Sequence, residues 1–248
     1  YTARLPSRLG RNNGQVPMLE PQLYPELVAK ALVLDEAPFI EMVDDDNPWV
    51  EGLALTTAVG LLAGIAQTVG GWLTAASLPD PVALQNTLAA GLHQLAAATN
   101  LAPEVADAIT GPLWNGLSTV TGLSGGWAGL SPLIATPATL LLWWLFFGFV
   151  AFGAARAAGG HGSLNSTLGA SALMVAPQIL LIFSVVPFAA AGSALLSVWG
   201  MLIGYRAVQT AHNLTWGRAA IATLVPYLAA LLLLPVLATA FVLGLTAG

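Results

Sequence analysis

Apolar residues along the chain are grouped in five long runs, and shorter polar stretches separate them. The runs cover about residues 50–75, 133–155, 167–187, 189–211 and 218–245. About 20 apolar residues in an α-helix cross the hydrocarbon core of a bilayer, and the runs lack the alternation of barrel strands. Because backbone groups in lipid must be hydrogen-bonded within their own segment, the pattern predicts an all-α, polytopic membrane protein with a five-transmembrane-helix bundle.

The chain is predicted to have two domains, and a long loop lies within the second. Residues 1–49 are predicted to form a water-facing N-terminal segment, in which LVAKALVLDEAPFIEMV makes a short amphipathic helix that ends near Pro38. Residues 50–248 form the membrane domain, and residues 77–132 within it form a long loop between the first two spans.

This loop is predicted to contain helices. Asp80 before Pro81 is typical of a helix N-cap followed by proline at the first helical position. An apolar stripe at helical spacing then follows at Leu84, Leu88, Leu92 and Leu95. A second short helix is predicted from Pro103 to Ile109, before a glycine-rich loop. The pattern leaves open whether the loop docks on lipid, on its own bundle or on a partner.

Composition and charge indicate membrane as the solvent and also predict an orientation. The chain is 56% hydrophobic and 8% charged, with a net charge of -5, and soluble domains average about 25% charged residues. Four of its seven bases precede the first span, and Arg156, Arg206 and Arg218 follow span two or lie around the connection between spans four and five. The positive-inside rule therefore predicts a cytoplasmic N-terminus, an extracytoplasmic loop at residues 77–132 and an external C-terminus. The lack of a basic cluster argues against nucleic acid as a partner.

Candidate catalytic and metal motifs fail on spacing or on topology. GLSGG at residues 122–126 matches a serine-hydrolase elbow, yet no acid follows Asp107 in the chain. The histidines His161 and His212 are predicted on the cytoplasmic side, a bilayer thickness away from Ser124. The chain has no cysteine, and its three histidines are scattered. We therefore expect no enzymatic activity, no catalytic residue, no metal site and no intrinsic cofactor.

Three sets of residues are candidates for packing or contact. Close helix packing is predicted where small residues recur at a spacing of four, at Gly60, Gly64, Gly200 and Gly204. A turn or hinge is predicted at Gly159, Gly160, Gly162 and Pro177. An aromatic run in the second span packs between helices, faces lipid or forms a contact surface for a quinone, a pigment or another subunit: Trp143, Trp144, Phe146 and Phe147.

Three stretches of the chain resemble bacterial Yip1-domain integral membrane proteins. ALVLDEAPFIEMVDDDNPWVEGLALTTAVGLLAGI, residues 31–65, is similar to the entry of that domain into its first span. GGHGSLNSTLGASALMVAPQ and WGMLIGYRAVQTAHNLTWGRAAIATLVP resemble its later part. The resemblance implies a five-span bundle in a bacterial inner membrane, with a cytoplasmic N-terminus and no enzymatic activity. Eukaryotic relatives are linked to vesicle trafficking and membrane shaping through small GTPases, and the long outer loop departs from the compact pattern.

The leading functional hypothesis is a non-catalytic accessory or scaffold subunit of a larger bacterial membrane complex, respiratory or photosynthetic. Membrane lipids and other membrane subunits are the expected partners, with contact to lipids, quinone or pigments of the partner complex. Two alternatives remain: a transporter or channel for a small neutral solute, and a membrane-shaping or trafficking-like protein.

Overall fold

A computed structural model describes residues 21–77, 80–121, 129–187, 189 and 192–246 of the chain. The regular elements within these ranges are all helical. The α-helices are α1 Tyr24–Leu32, α2 Ala37–Val43, α3 Pro48–Ser77, α4 Pro81–Ala98, α5 Pro103–Thr121, α6 Ser131–Ala157, α7 Leu164–Ala172, α8 Ser193–His212 and α9 Trp216–Thr246. A 3₁₀ segment, Leu173–Val185, continues directly from α7.

Four helical segments of the described chain are long and apolar enough to cross a membrane: Pro48–Ser77, Ser131–Ala157, Leu164–Val185 and Trp216–Leu233. The predicted all-α membrane architecture is confirmed at this level. The fifth predicted span, residues 189–211, corresponds to α8, which is not among the four. Arg206, Gln209 and Thr210 make the last two turns of α8 more polar than those of the other segments.

The ends of the helices meet in two groups. At one end, which we call the basic end, Gly169 packs on Pro48, Gly159 lies near the Arg218 guanidinium, and Gly160 packs on His212. At the opposite end, Gly64 packs against Pro132 and Gly70 against Ser184. The long helices therefore alternate in direction, and α8 with its 20 residues extends about 30 Å from the opposite end to the basic end.

The N-terminal segment differs from its prediction in two ways. Its described part, residues 21–49, contains the α-helices α1 and α2, separated by a turn in which Leu34 has a φ of 60°. Pro38 lies in the first turn of α2 rather than at the end of a helix, because a proline there loses no intrahelical hydrogen bond. Nor is the segment separate: Leu27, Val28, Ala31, Phe39 and Met42 are buried in the same apolar core as the membrane helices.

Two hydrogen bonds join α1 to the bundle. The Tyr24 hydroxyl donates to the Glu51 carboxylate in the first turn of α3, at 2.7 Å. The indole N–H of Trp199, in α8, donates to the Leu32 carbonyl at the end of α1, at 2.9 Å. The first bond lies at the basic end, where α3 begins. The second lies in the second turn of α8, nearer the opposite end, so α1 extends from the basic end along the bundle.

We expect Tyr24→Phe to make stability less sensitive to alkaline pH. Burial and the hydrogen bond with Glu51 raise the pKa of Tyr24 above its ordinary value of 10.0. In the unfolded chain this tyrosine ionises at about pH 10 while the folded state keeps it protonated, so its contribution is present below that pH and lost as the pH rises. The midpoint of thermal unfolding, measured for both proteins below and above about pH 10, tests this difference. If the midpoint fell equally steeply with pH in both proteins, the raised pKa of Tyr24 would be contradicted.

The loop between α3 and α6 contains an antiparallel hairpin of α4 and α5. The predicted cap is confirmed, because the Asp80 carboxylate accepts a 2.9 Å hydrogen bond from the Val82 N–H. Of the predicted stripe, Leu84, Leu88 and Leu92 are half-buried, whereas Leu95 is exposed and Ala96 takes its place in the buried face.

The second helix of this hairpin does not end at Ile109 as predicted. It continues through Pro112 to Thr121. Buried or half-buried residues recur at a spacing of four on both sides of that proline, at Ala106, Thr110, Trp114 and Ser118. Packing of this stripe against α4 stabilises a helix that Gly111 and Pro112 alone would interrupt.

Candidate functional site: an aromatic surface and pocket in the bundle

The four aromatic residues singled out in α6 divide into two pairs. Trp144 and Phe147 are fully buried within this chain. The Trp144 indole N–H donates to the Leu168 carbonyl in α7 at 2.9 Å, and Phe147 packs against Gly204 of α8. These two side chains are part of the core, so the predicted contact surface is corrected to Trp143 and Phe146, which are half-buried.

Trp143 is the centre of an aromatic cluster on the outside of the bundle. Its ring stacks on Phe146 with centroids 5.7 Å apart and meets the edge of Tyr227, in α9, at 5.2 Å. The Tyr227 ring also packs against the buried Phe147 ring, with the two ring centroids 6.0 Å apart. Sequence reasoning missed Tyr227, because a single tyrosine in a long apolar run carries no signal beyond its place next to Pro226.

Beside this cluster lies a partly open pocket of about 210 Å³ between α6, the 3₁₀ segment, α8 and α9. Its lining consists of Thr139, Leu140, Trp143, Met174, Val175, Gln178, Leu196, Ser197, Gly200 and Tyr227. The volume is below the roughly 300 Å³ at which small-molecule sites begin. The pocket therefore suits one or two apolar side chains or a short stretch of acyl chain, with the Gln178 amide as a polar group at its wall.

The structure places all four predicted packing glycines where helices approach closely. A Cβ atom at Gly60 would lie 2.7 Å from the Pro137 Cα atom, and one at Gly64 would lie 2.7 Å from the Pro132 carbonyl oxygen, both in α6. A Cβ at Gly200 would lie 2.8 Å from the Met174 carbonyl oxygen. At Gly204, the corresponding contact is the Phe147 ring at 2.9 Å.

We expect Gly60→Ala to destabilise the protein although alanine is the better helix former. The added methyl group meets backbone atoms of Pro137, so α3 and α6 must separate at a cost of about 1–3 kcal/mol. Gly153→Ala is the matched control, because nothing lies within 4 Å of a Cβ atom there. That change should leave the midpoint of thermal unfolding unchanged or raise it. Equal midpoints for the two variants would contradict the close approach of α3 and α6.

The predicted glycine turn joins α6 to α7 at the basic end. Gly159 has a φ of 88°, which favours glycine, and Gly160 and Gly162 pack directly on His212 and Ala211. His212 is buried, and its Nε2 atom shares a 2.8 Å hydrogen bond with the Thr167 hydroxyl. Spacing in the sequence gave no signal for this pair, whose members are 45 residues apart.

Pro177, the fourth predicted hinge residue, lies within the 3₁₀ segment. This segment has 13 residues, whereas 3₁₀ runs longer than three or four residues are uncommon. The proline has no N–H to donate to an α-helical bond, and the backbone here follows the tighter helix. Pro177 itself is buried, and the neighbouring Gln178 lines the pocket.

Candidate chemistry is sparse in the described part of the chain. Within it, no group of three or more His, Asp or Glu side chains is arranged to hold a metal ion. The GLSGG motif at residues 122–126 lies outside the described residues. His161 and His212 are neighbours at the basic end, where the His161 N–H donates to the His212 carbonyl at 3.4 Å.

The family model of the Yip1 domain matches residues 30–238 of the chain. The match covers most of the chain, including α2 to α8 and the described spans, so the protein belongs to the Yip1 domain family. It is a membrane protein with several apolar helices that can cross a bilayer. No curated protein and no solved structure shows a significant match to it.

Proposed function

We propose that this protein is a non-catalytic accessory or scaffold subunit of a larger bacterial membrane complex. One observation carries the proposal: a half-exposed aromatic cluster of Trp143, Phe146 and Tyr227 borders a pocket the size of one or two side chains. Aromatic side chains next to a pocket are typical of the centres of protein interfaces. The expected partner is a transmembrane helix of another subunit that inserts an apolar side chain beside Trp143.

Contacts at this surface suit recognition within lipid. Apolar area alone does not favour a partner over acyl chains, so association depends on close packing and on buried hydrogen bonds. The pocket supplies a concave shape for packing, and the Gln178 amide supplies a polar group for a hydrogen bond. A quinone or pigment of the partner complex is a second kind of group that aromatic rings at this position could contact.

The proposal includes five spans and a cytoplasmic N-terminus. Support for α8 as the fifth span comes from its length of about 30 Å and its position between the two ends of the bundle. Support for the orientation comes from Arg156 and Arg218, which lie at the ends of helices that meet at the basic end. The positive-inside rule assigns that end to the cytoplasm of a bacterial inner membrane.

Site-specific photo-crosslinking in the source membrane tests the proposed interface. A photo-reactive residue replaces Thr139, which lines the pocket, and in a second protein it replaces Ile134, which is 74% exposed on another side of α6. We expect a discrete crosslink to one other membrane protein from position 139 and only diffuse lipid adducts from position 134. Trp143→Ala should then reduce recovery of that partner after extraction in mild detergent.

The native mass of the extracted protein decides between a subunit role and an independent one. A large assembly whose other chains include the crosslinked partner supports the proposal. A lone chain or a self-oligomer, with no crosslink from position 139, would overturn it. The kind of complex, respiratory or photosynthetic, follows from the identity of the co-purifying chains.

Transport of a small neutral solute is a second candidate, and the position of Gln178 favours it. This amide lies in the 3₁₀ segment, one residue after Pro177, and lines the pocket, and broken helices commonly form transport sites. Transport predicts solute flux through purified protein in liposomes that is lost in Gln178→Leu. Flux that is the same with and without the protein would exclude this role for each solute tested.

A further inference from the structure

The hairpin of α4 and α5 has two unlike faces. On one face the His93 Nε2 atom lies 3.0 Å from the Asp107 carboxylate, which joins the two helices. Asn86 lies two turns before His93, and Glu104 lies one turn before Asp107, so both are on the same side. This polar face contains both carboxylates of the described hairpin that follow the Asp80 cap.

The other face is apolar and exposed. Leu95 follows His93 by two residues, and Val105 precedes Asp107 by two residues. Two residues correspond to about 200° around a helix, so Leu95 and Val105 lie on the side opposite the His93–Asp107 contact. Ile109 and Leu113 continue the row from Val105 at a spacing of four. The exposed fractions are 59% for Leu95, 40% for Val105, 46% for Ile109 and 37% for Leu113.

The chain holds this hairpin next to the bilayer. Residues 78–80 alone connect the end of α3 to Pro81, so α4 begins within about 14 Å of that end. In the last turns of α3, Trp72 and Leu73 are 47% and 43% exposed, and tryptophans are enriched at membrane–water interfaces. Val82, which is exposed on the side of His93, lies in the first turn of α4, next to this short tether.

Charge is not what holds the hairpin at the membrane. The chain has no Lys or Arg between residues 31 and 155, so the hairpin offers no attraction to anionic headgroups. It needs none, because its tether to α3 keeps it at a high effective concentration near the membrane. Burial of apolar side chains then suffices, and the polar face with its carboxylates remains in water.

We infer that the α4–α5 hairpin lies in the membrane interface, with Leu95, Val105, Ile109 and Leu113 among the acyl chains and the His93–Asp107 face in water. Amphipathic helices in this position are buried by about 5–10 Å at the boundary between headgroups and acyl chains. The contact is a property of this chain and lipid, and it does not depend on the proposed subunit role.

Spin labels on single cysteines test the depth of each face, and the chain has no cysteine that would interfere. Leu95→Cys and Ile109→Cys report on the apolar face, and Asn86→Cys and Glu104→Cys are matched controls on the polar face. In phosphatidylcholine vesicles that contain the purified protein, labels at 95 and 109 should collide preferentially with oxygen. Labels at 86 and 104 should collide preferentially with a water-soluble nickel complex.

A second variant separates lipid contact from folding of the hairpin. Ile109→Asp adds a charge to an exposed side chain without changing the contact between the helices, so it should move a label at residue 95 into water. Ala90→Asp, on an exposed residue one turn after Asn86 and one turn before His93 on the polar face, should leave that label in lipid. Helix content by circular dichroism should be the same in both proteins.

Two results would overturn the inference. Water exposure of all four labels in the vesicles would show that the hairpin stands away from the bilayer. Labels at 95 and 109 that are in water in vesicles, but shielded from both reagents in the source membrane, would show that a partner protein covers the apolar face instead.

Discussion

Replacing Trp144 by alanine should lower the free energy of unfolding by about 3 kcal/mol, at the lower end of the range for buried aromatic residues. The indole is fully buried, and its N–H donates to the Leu168 carbonyl. Its removal leaves a cavity between α3, α6 and α7, since Trp144 also lies against Gly52. The lower end of the range applies because unfolding moves the indole from an apolar core into an apolar solvent, the lipid. The substitution therefore costs mainly the lost packing contacts and little transfer free energy.

Unfolding in mixed micelles with increasing denaturing detergent measures this loss. Leu142→Ala is the control in the same helix, because Leu142 is 69% exposed and should shift the midpoint little. Trp144→Phe keeps most of the volume and removes the hydrogen bond, and it should cost about 1 kcal/mol. If Trp144→Ala were as stable as Leu142→Ala, the assignment of Trp144 to the core would be wrong.

Replacing Phe39 by alanine should release the N-terminal segment from the bundle. Phe39 is fully buried in the common core, and α2 packs against α7 and α8. Loss of the ring should cost about 3 kcal/mol, which is a large share of the energy that holds two short helices in place. We therefore expect proteases to cut between α1 and α3 in this variant while the membrane helices remain intact.

Limited proteolysis of the protein in vesicles, followed by mass measurement of the fragments, detects this release. Ile40→Ala is the matched control, because the adjacent Ile40 is 45% exposed, and its cleavage pattern should equal that of the wild type. Equal protection of Phe39→Ala and Ile40→Ala would show that the segment is held by other contacts, such as the Tyr24–Glu51 hydrogen bond.

The aromatic run of α6 shows why the candidate site was only partly predictable. In a surface helix of a soluble protein, an apolar stripe marks the side that faces the core. The sequence of α6 is apolar on all sides, so Trp143 and Trp144 are equivalent by pattern. Packing distinguishes them: Trp144 points at the Leu168 carbonyl, whereas Trp143 points at Tyr227 and the pocket.

The N-terminal segment illustrates a second limit. Its acids and bases predict that it is not a membrane span, but they do not show whether it packs on anything. Phe39 and Met42 make the segment part of the core, and the bond from Trp199 to Leu32 joins residues 167 positions apart. No local pattern reports contacts at such separations.

The sequence by itself determined the all-helical membrane class, the approximate limits of four apolar spans, the Asp80 cap and the resemblance to the Yip1 domain. These features depend on local composition, because lipid requires long apolar helices and a cap requires one acceptor side chain. Only the tertiary structure decided which aromatic residues are buried, how far α5 extends past Pro112, and that α1 and α2 belong to the core. Those features depend on contacts between distant segments, and a uniformly apolar helix does not encode in its pattern which of its sides makes them.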